Sequence, residues 1–221
     1  MLEFENKVAV KICGVTSVRD AIACAEAGAD MLGLNFSPRS LRWIEPRTAQ
    51  EIVDAVRAQT PQTKFVGVFL DQEAAVVEAL AAKLALDAVQ LHGDETAEYV
   101  RALGAAFVIK ALRVGTTRPD ATAYDCAAIL LDRWSAVAPG GTGETFPWAI
   151  AAELRPMVNR LILAGGLTSA NVAEAIREVR PFAVDVCSGV ESAPGRKNEG
   201  KVRAFLQAVK GLNDEKTAIR A

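Results

Sequence analysis

The chain has 221 residues, of which 51% are hydrophobic, and a formal net charge of −2. That is enough to bury one sizeable core, and the near-neutral balance argues against nucleic acid or another polyanion as partner. Four cysteines, Cys13, Cys24, Cys126 and Cys187, lie scattered without CxxC or Cys/His spacing. This pattern speaks against a zinc site or disulfide framework and fits free thiols in a reducing compartment.

The N-terminus, "MLEFENKVAV", carries charges within its first six residues and has no long apolar stretch, so it does not read as a secretory signal. No apolar run approaches the ~18 residues that span a bilayer. The expectation is a soluble, cytoplasmic protein with no membrane partner.

Along the chain, strand, loop and helix alternate. "VAVKIC" (8–13) reads as a buried strand, and "SVRDAIACAEAGAD" as an amphipathic helix closing on Gly28. "MLGLNF" follows as the second strand, then "PRTAQEIVDAVRAQ", a helix with Pro46 in its first turn. "KFVGVF", "AVQLHG" and "FVIKAL" are the third to fifth strands. The segment "RPDATAYDCA" that follows is the weakest unit, a short helix or little more than a turn. "AILLD" is the sixth strand and "LILAGG" the seventh. "TSANVAEAIREVRP" reads as a helix capped by Thr168 or Ser169 and stopped by Pro181. "AVDVCSG" is the eighth strand.

Runs buried on both faces and alternating with helices imply an all-parallel sheet covered by helices. Eight evenly spaced units predict a single-domain (β/α)8 TIM barrel, trimmed from the usual length of about 250 residues. Its expected extent is residues 1–211. The last ten residues, "LNDEKTAIRA" (212–221), form a polar C-terminal tail expected to fray. An open doubly wound sheet is the alternative, but the first turn, "CGVTS", lacks its GxGxxG fingerprint.

A barrel of this kind places its site at the C-terminal ends of the strands. Cys13, "NFSPRSLRW", His92, Asp132, Gly165–Gly166 and Ser188–Gly189 should therefore converge on one rim. Gly165 and Gly166 open one loop, and Ser188 and Gly189 the next. These loops follow strands seven and eight, a recurrent phosphate site of the fold, although each glycine also suits a tight turn. Cys13 alone would read as a small buried hydrophobe, and Asp132 alone as a turn or cap residue. Together they offer two titratable groups on opposite sides of a narrow barrel, as acid–base chemistry on a small substrate requires. The thiol must be lowered from ~8.5 to serve as base.

Arg42 can pair bidentately with a carboxylate, with Arg39 and Arg47 as rivals in the same loop. His92, the single histidine, points toward the rim. Lys11 and Lys110 lie inside strands, and either facing inward would keep a Schiff-base mechanism open. "GGTGETF" (140–146) lacks the ending of a P-loop. It reads as a rim loop that helps cover the ligand, with Gly141, Thr142 and Gly143 at the rim.

These segments, taken in order, resemble the phosphoribosylanthranilate isomerase family of tryptophan biosynthesis. The match runs through "KICGVTSVRDA", "GADMLGLNFSPRSLR", "FVGVF", "VQLHGDE", "VIKAL", "LLD", "GGTGETF", "LAGGLTSANV" and "VDVCSGVESAPGRKN". The resemblance implies an Amadori rearrangement of N-(5′-phosphoribosyl)anthranilate to 1-(o-carboxyphenylamino)-1-deoxyribulose 5-phosphate. It assigns Cys13 as general base, Asp132 as general acid and Arg42 to the anthranilate carboxylate. It places the phosphate on main-chain amides around Gly165, Gly166, Ser188 and Gly189. Protons move only within one molecule, so neither metal nor other cofactor is expected.

For Asp132 to begin as an acid, its pKa is expected to be raised by burial or by the substrate phosphate. The expected partner is a small phosphorylated substrate, and the assembly a monomer or homodimer. Departures from the family pattern are Glu144, Pro147, Cys187 (serine is common there) and "LNF" in the second strand. Two other readings remain: an aldolase or synthase forming a Schiff base on Lys11 or Lys110, and a non-catalytic barrel that binds a phosphorylated ligand.

Overall fold

In the computed structural model, residues 4, 7–103, 108–115, 118–133 and 147–220 are described, with side chains through 213. Eight parallel strands close into a barrel: β1 (Ala9–Cys13), β2 (Met31–Asn35), β3 (Lys64–Phe69), β4 (Ala88–Leu91), β5 (Val108–Val114), β6 (Ala128–Arg133), β7 (Leu161–Leu163) and β8 (Ala183–Val186). Each pairs with its neighbours in chain order, and β8 returns to β1 with Lys11 beside Asp185 and Ile12 beside Val186. The expected (β/α)8 barrel is the observed fold.

Side-chain alternation along these strands builds two cores. Ala9, Met31, Val66, Ala88, Ile109, Ala111, Leu130 and Ile162 fill the barrel. Ile12, Leu32, Leu34, Phe65, Leu91, Leu131 and Leu163 face outward under the helices. Ala9, Ala88 and Ala111 among the inward residues leave room for Met31, Ile109, Leu130 and Ile162 in a narrow barrel.

The outer layer comprises α1 (Val18–Glu26), α2 (Pro46–Gln59), α3 (Ala74–Lys83), α4 (Ala97–Ala102), α5 (Trp148–Leu154), α6 (Val172–Val179) and α7 (Glu199–Arg220). Ser17 caps α1 by accepting from the Asp20 amide, and Gly28 turns the chain at φ +103°. Pro46 occupies the first turn of α2, as expected. The weak fifth unit is a single 3-10 turn, Ala121–Ala123.

One boundary differs from the sequence reading. α6 starts at Val172 with Asn171 at its N-cap, and not at Thr168 or Ser169. The Asn171 Oδ1 accepts from the Thr168 amide at 2.8 Å, and its Nδ2 donates to the Gly166 carbonyl at 3.0 Å. These bonds fold Thr168–Asn171 into a turn before the helix begins.

Beyond β8 the chain adds a small hairpin, β9 (Glu191–Ala193) with β10 (Arg196–Lys197), before α7. α7 runs through Gly211 without a break. Leu212 is buried against the outer core, and the Asn213 Oδ1 accepts from the Val8 amide at 2.9 Å. Among the described residues, no helix is long and apolar enough to cross a membrane.

Candidate active site

Lys11 and Cys13 are two apart on β1, so both point into the barrel at successive levels. Lys11 is fully buried, and its Nζ lies 3.0 Å from Asp185 Oδ1, its register partner on β8. Burial works against the Lys11 charge, but Asp185 and then Cys13 outweigh it and hold the ammonium above its ordinary range. Asp185 is pushed up to about 7, chiefly by burial and against the pull of Lys11. Gly33 on β2 makes room for this pair of levels. A Cβ there would stand 2.9 Å from Cys13 Sγ and 3.1 Å from Lys11 Nζ.

Cys13 carries the decisive electrostatics. A hydrogen bond from the Cys187 thiol favours its thiolate. Burial opposes ionisation, but the Lys11 and Lys197 ammoniums add to the hydrogen bond, and the group falls well below the ordinary thiol range. Cys187 moves the opposite way, raised by giving that hydrogen bond and by burial.

Lys197 reaches this point from the hairpin. Its Nζ donates to the Cys13 carbonyl at 2.6 Å and pairs with Glu191 Oε1 at 2.9 Å. Glu191 also holds Arg42, with Nη2–Oε2 at 2.7 Å and Nε–Oε1 at 3.3 Å, and accepts from the Gly195 amide. Burial pushes the Glu191 carboxyl up, yet Arg42 and Lys197 hold it below the usual range. Arg42 is thus fixed at the rim by a fork-to-carboxylate pair. Of its rivals, Arg39 is exposed, and Arg47 lies in the exposed first turn of α2, 3.4 Å from Glu51.

Asp132 rises from β6, with β7 and β8 between it and β1. Its Oδ1 accepts from the Arg133 amide at 2.8 Å, and its Oδ2 lies 3.3 Å from His92 Nε2. The other ring nitrogen of His92 is 3.0 Å from Gln90 Nε2, and Arg113 holds the His92 carbonyl. The single histidine therefore stands against the candidate acid.

The two glycine loops lie between the acid and the thiol. Gly165 and Gly166 adopt φ of +84° and +69°, which only glycine reaches without strain. A Cβ on Gly165 would come within 2.7 Å of the Arg133 amide nitrogen and 3.1 Å of Asp132 Oδ1. A Cβ on Gly189 would meet the Leu167 carbonyl oxygen at 2.0 Å. Ser188 opens the turn that contains Gly189. The loops after β7 and β8 are thus packed backbone to backbone beside the acid, and free amides in such glycine turns suit an anion.

All the strand-end candidates meet at this rim. Gly141, Thr142 and Gly143 lie outside the described residues. Lys110 faces away from the barrel: its neighbours Ile109 and Ala111 point inward, while its Nζ pairs with Glu95 at 2.6 Å and donates to the Gly93 carbonyl. Lys11 does face inward, but as a paired, protonated ammonium it is no amine nucleophile. Neither lysine of the Schiff-base reading is therefore suited to it. Asp185, Glu191 and Lys197 were missed as site residues. Period-two spacing from Cys13 and Cys187 would have marked Lys11 and Asp185 as the layer beneath; nothing local marks Glu191 and Lys197.

Residues 10–208 match the family model described as N-(5′-phosphoribosyl)anthranilate (PRA) isomerase. A relative of that name from Pelobacter propionicus is 44% identical over 212 residues, covering 95% of this chain and 99% of its own length. Another, from Geobacter sulfurreducens, is 47% identical over 206 residues, covering 92% and 99%. The solved phosphoribosyl anthranilate isomerase of Thermotoga maritima superposes with a TM-score of 0.84 at 38% identity, covering 92% of this chain and 99% of that one. A solved structure of a phosphoribosyl anthranilate isomerase holds reduced 1-(o-carboxyphenylamino)-1-deoxyribulose 5-phosphate, with a TM-score of 0.81 at 38% identity and the same coverage.

Proposed function

The chain belongs to the N-(5′-phosphoribosyl)anthranilate isomerase family and isomerises N-(5′-phosphoribosyl)anthranilate, and we propose that Cys13 and Asp132 move the protons. The observation that carries this assignment is the placing of Cys13 beside the Lys11 and Lys197 ammoniums, with Asp132 and His92 three strands away around the barrel.

Asp132, protonated, donates to the ribose ring oxygen as the C1′–O bond breaks, and the open chain becomes a Schiff base with the anthranilate nitrogen. The Cys13 thiolate then takes the proton from C2′. The resulting enolamine tautomerises to the ketone, so bonds rearrange without a change in overall composition. Fixed cationic neighbours suit the base, because a thiolate held by ammoniums needs no solvent reorganisation. His92 holds the Asp132 carboxyl in place.

Arg42 receives the anthranilate carboxylate. Glu191 occupies its Nε and Nη2 and so orients the guanidinium. The 5′-phosphate is held by the amides around Gly165, Gly166, Ser188 and Gly189. No metal or other cofactor takes part in this scheme. The catalytic unit is the barrel together with α7, whose Leu212 and Asn213 pack onto it, and its place is the cytoplasm. It acts as a monomer or homodimer; one solved relative consists of monomers generated from the dimeric T. maritima enzyme.

The test is a fluorescence assay following consumption of phosphoribosylanthranilate by the purified protein. Cys13→Ala and Asp132→Ala should each lower kcat by at least ~10²-fold, the low end for general acid–base catalysis. Near-full turnover by Cys13→Ala would refute the base assignment.

A further inference from the structure

Cys13 has a second thiol as its neighbour, and the barrel's closure puts it there. β1 and β8 are adjacent parallel strands with Lys11 opposite Asp185 and Ile12 opposite Val186. The Lys11 and Asp185 side chains meet inside the barrel at 3.0 Å. Period-two alternation places Cys13 and Cys187 one level higher on the same inner face, where both chains leave the sheet.

Cys13 and Cys187 directly follow the last register pair, Ile12 and Val186; neighbouring strands there sit about 4.8 Å apart, inside the ~4.4–6.8 Å Cα separation that a disulfide spans. A Cβ on Gly14, the residue after Cys13, would stand 3.2 Å from Cys187 Sγ. Lys197 binds both residues: its Nζ is 2.6 Å from the Cys13 carbonyl oxygen, 3.5 Å from the Cys187 carbonyl oxygen and 4.0 Å from Cys187 Sγ.

We propose that Cys13 and Cys187 form a reversible disulfide when the protein meets a hydroperoxide, and that this bond switches the site off. The Cys13 thiolate attacks the distal oxygen of the peroxide. The O–O bond breaks, the leaving alkoxide or hydroxide takes a proton, and Cys13 becomes a sulfenic acid. The Cys187 sulfur then attacks the Cys13 sulfur. An S–S bond forms, the S–O bond breaks, and hydroxide leaves as water with the Cys187 proton. The two thiols lose two electrons, and the peroxide gains them.

Several features suit Cys13 to the first step. It stands at the open end of the barrel with 9% of its surface exposed, and its cationic surroundings favour the attacking thiolate. The other thiols are placed differently. Cys24 is buried on α1, where burial pushes it up to about 12. Cys126 precedes β6, at the end of the barrel away from the rim. In a reducing compartment the bond would be transient, as regulatory disulfides there are. Only the loss of activity rests on Cys13 being the catalytic base; formation of the bond does not.

The test treats the reduced, full-length protein with hydrogen peroxide, quenches in acid, alkylates remaining thiols under denaturing conditions and maps peptides without reduction. The expected result is loss of two hydrogen masses, one Cys13–Cys187 linked peptide, and isomerase activity that is lost and then regained with dithiothreitol. In Cys187→Ser, with activity read against its own untreated rate, the loss should no longer be regained, because an unresolved sulfenic acid proceeds to sulfinic acid.

Oxygen added at Cys13 in the unsubstituted protein without a link would overturn the proposal. So would a link to Cys24 or Cys126, or equal recovery in Cys187→Ser. Mapping on the unsubstituted chain decides the question even if that variant fails to fold. A linked peptide in a protein with no isomerase activity would sink the functional reading and leave the disulfide standing.

Discussion

Replacing Lys11 with methionine tests the electrostatic origin of the Cys13 base most directly. The side chain keeps an unbranched apolar stem, one atom shorter, and loses the ammonium with its bond to Asp185. An ideal Cβ on Gly33 lies 2.9 Å from Cys13 Sγ and 3.1 Å from Lys11 Nζ, so the two atoms are at most about 6 Å apart. At an effective dielectric of ~20, a unit charge at that distance is worth about 3 kcal/mol, or about 2 pH units. Asp185 lies 3.0 Å from the same ammonium and cancels part of this, leaving an expected rise of about 1–2 units in the Cys13 pKa.

The acid limb of kcat/KM reports the free enzyme's base. It should therefore move to higher pH by that amount, with the plateau recovered in alkaline buffer. The variant also leaves Asp185 without its partner. Its carboxyl already stands at about 7 through burial and would rise further. A carboxyl with a folded pKa above its unfolded value of ~3.9 binds more protons when folded. The variant's stability should thus be greatest in acid and fall as pH climbs through 7, which thermal melts can follow. An acid limb that stays in place or moves downward while the melts show a folded protein would refute the argument that Lys11 holds the thiolate.

Arg42→Ala should raise KM by roughly 10–100-fold with a smaller change in kcat, the scale of a charged hydrogen bond to a carboxylate. Glu191 keeps Lys197 and the Gly195 amide in that variant, so melting should change little; an unchanged KM would remove Arg42 from the binding role. Gly189→Ala places a Cβ 2.0 Å from the Leu167 carbonyl oxygen. Forcing two backbones apart should cost ~1–3 kcal/mol and lower Tm by roughly 2–10 °C. The same variant should weaken inhibition by inorganic phosphate, and an unchanged inhibition constant would move the phosphate elsewhere.

The strands and their order were legible because burial on both faces leaves a local signature. "VAVKIC" and "LILAGG" are apolar without alternation, as strands between a barrel core and a helical layer must be. The residues at the end of such a run lie at the rim by construction, which is how Cys13, Asp132, Gly165 and Ser188 could be named in advance. α6 began later than expected because Asn171 closes a turn on Thr168, a choice that turns on side-chain geometry and not on composition. The inward or outward facing of Lys11 and Lys110 was open in the sequence. Strand alternation settled it once the neighbours of each were seen inside or outside the barrel.

By itself, the sequence determined that eight parallel strands would be covered by helices, and which residues would end each strand. These follow from patterns a few residues long. Only the tertiary structure decided what surrounds Cys13. Lys197 is 184 residues away along the chain, Asp185 lies 174 from Lys11, and Glu191 lies 149 from Arg42. Pairing of β8 with β1 brings these groups together, and no local pattern encodes a charge that arrives by closure of the barrel. The identity of the thiol belongs to the sequence; its cationic surroundings belong to the fold.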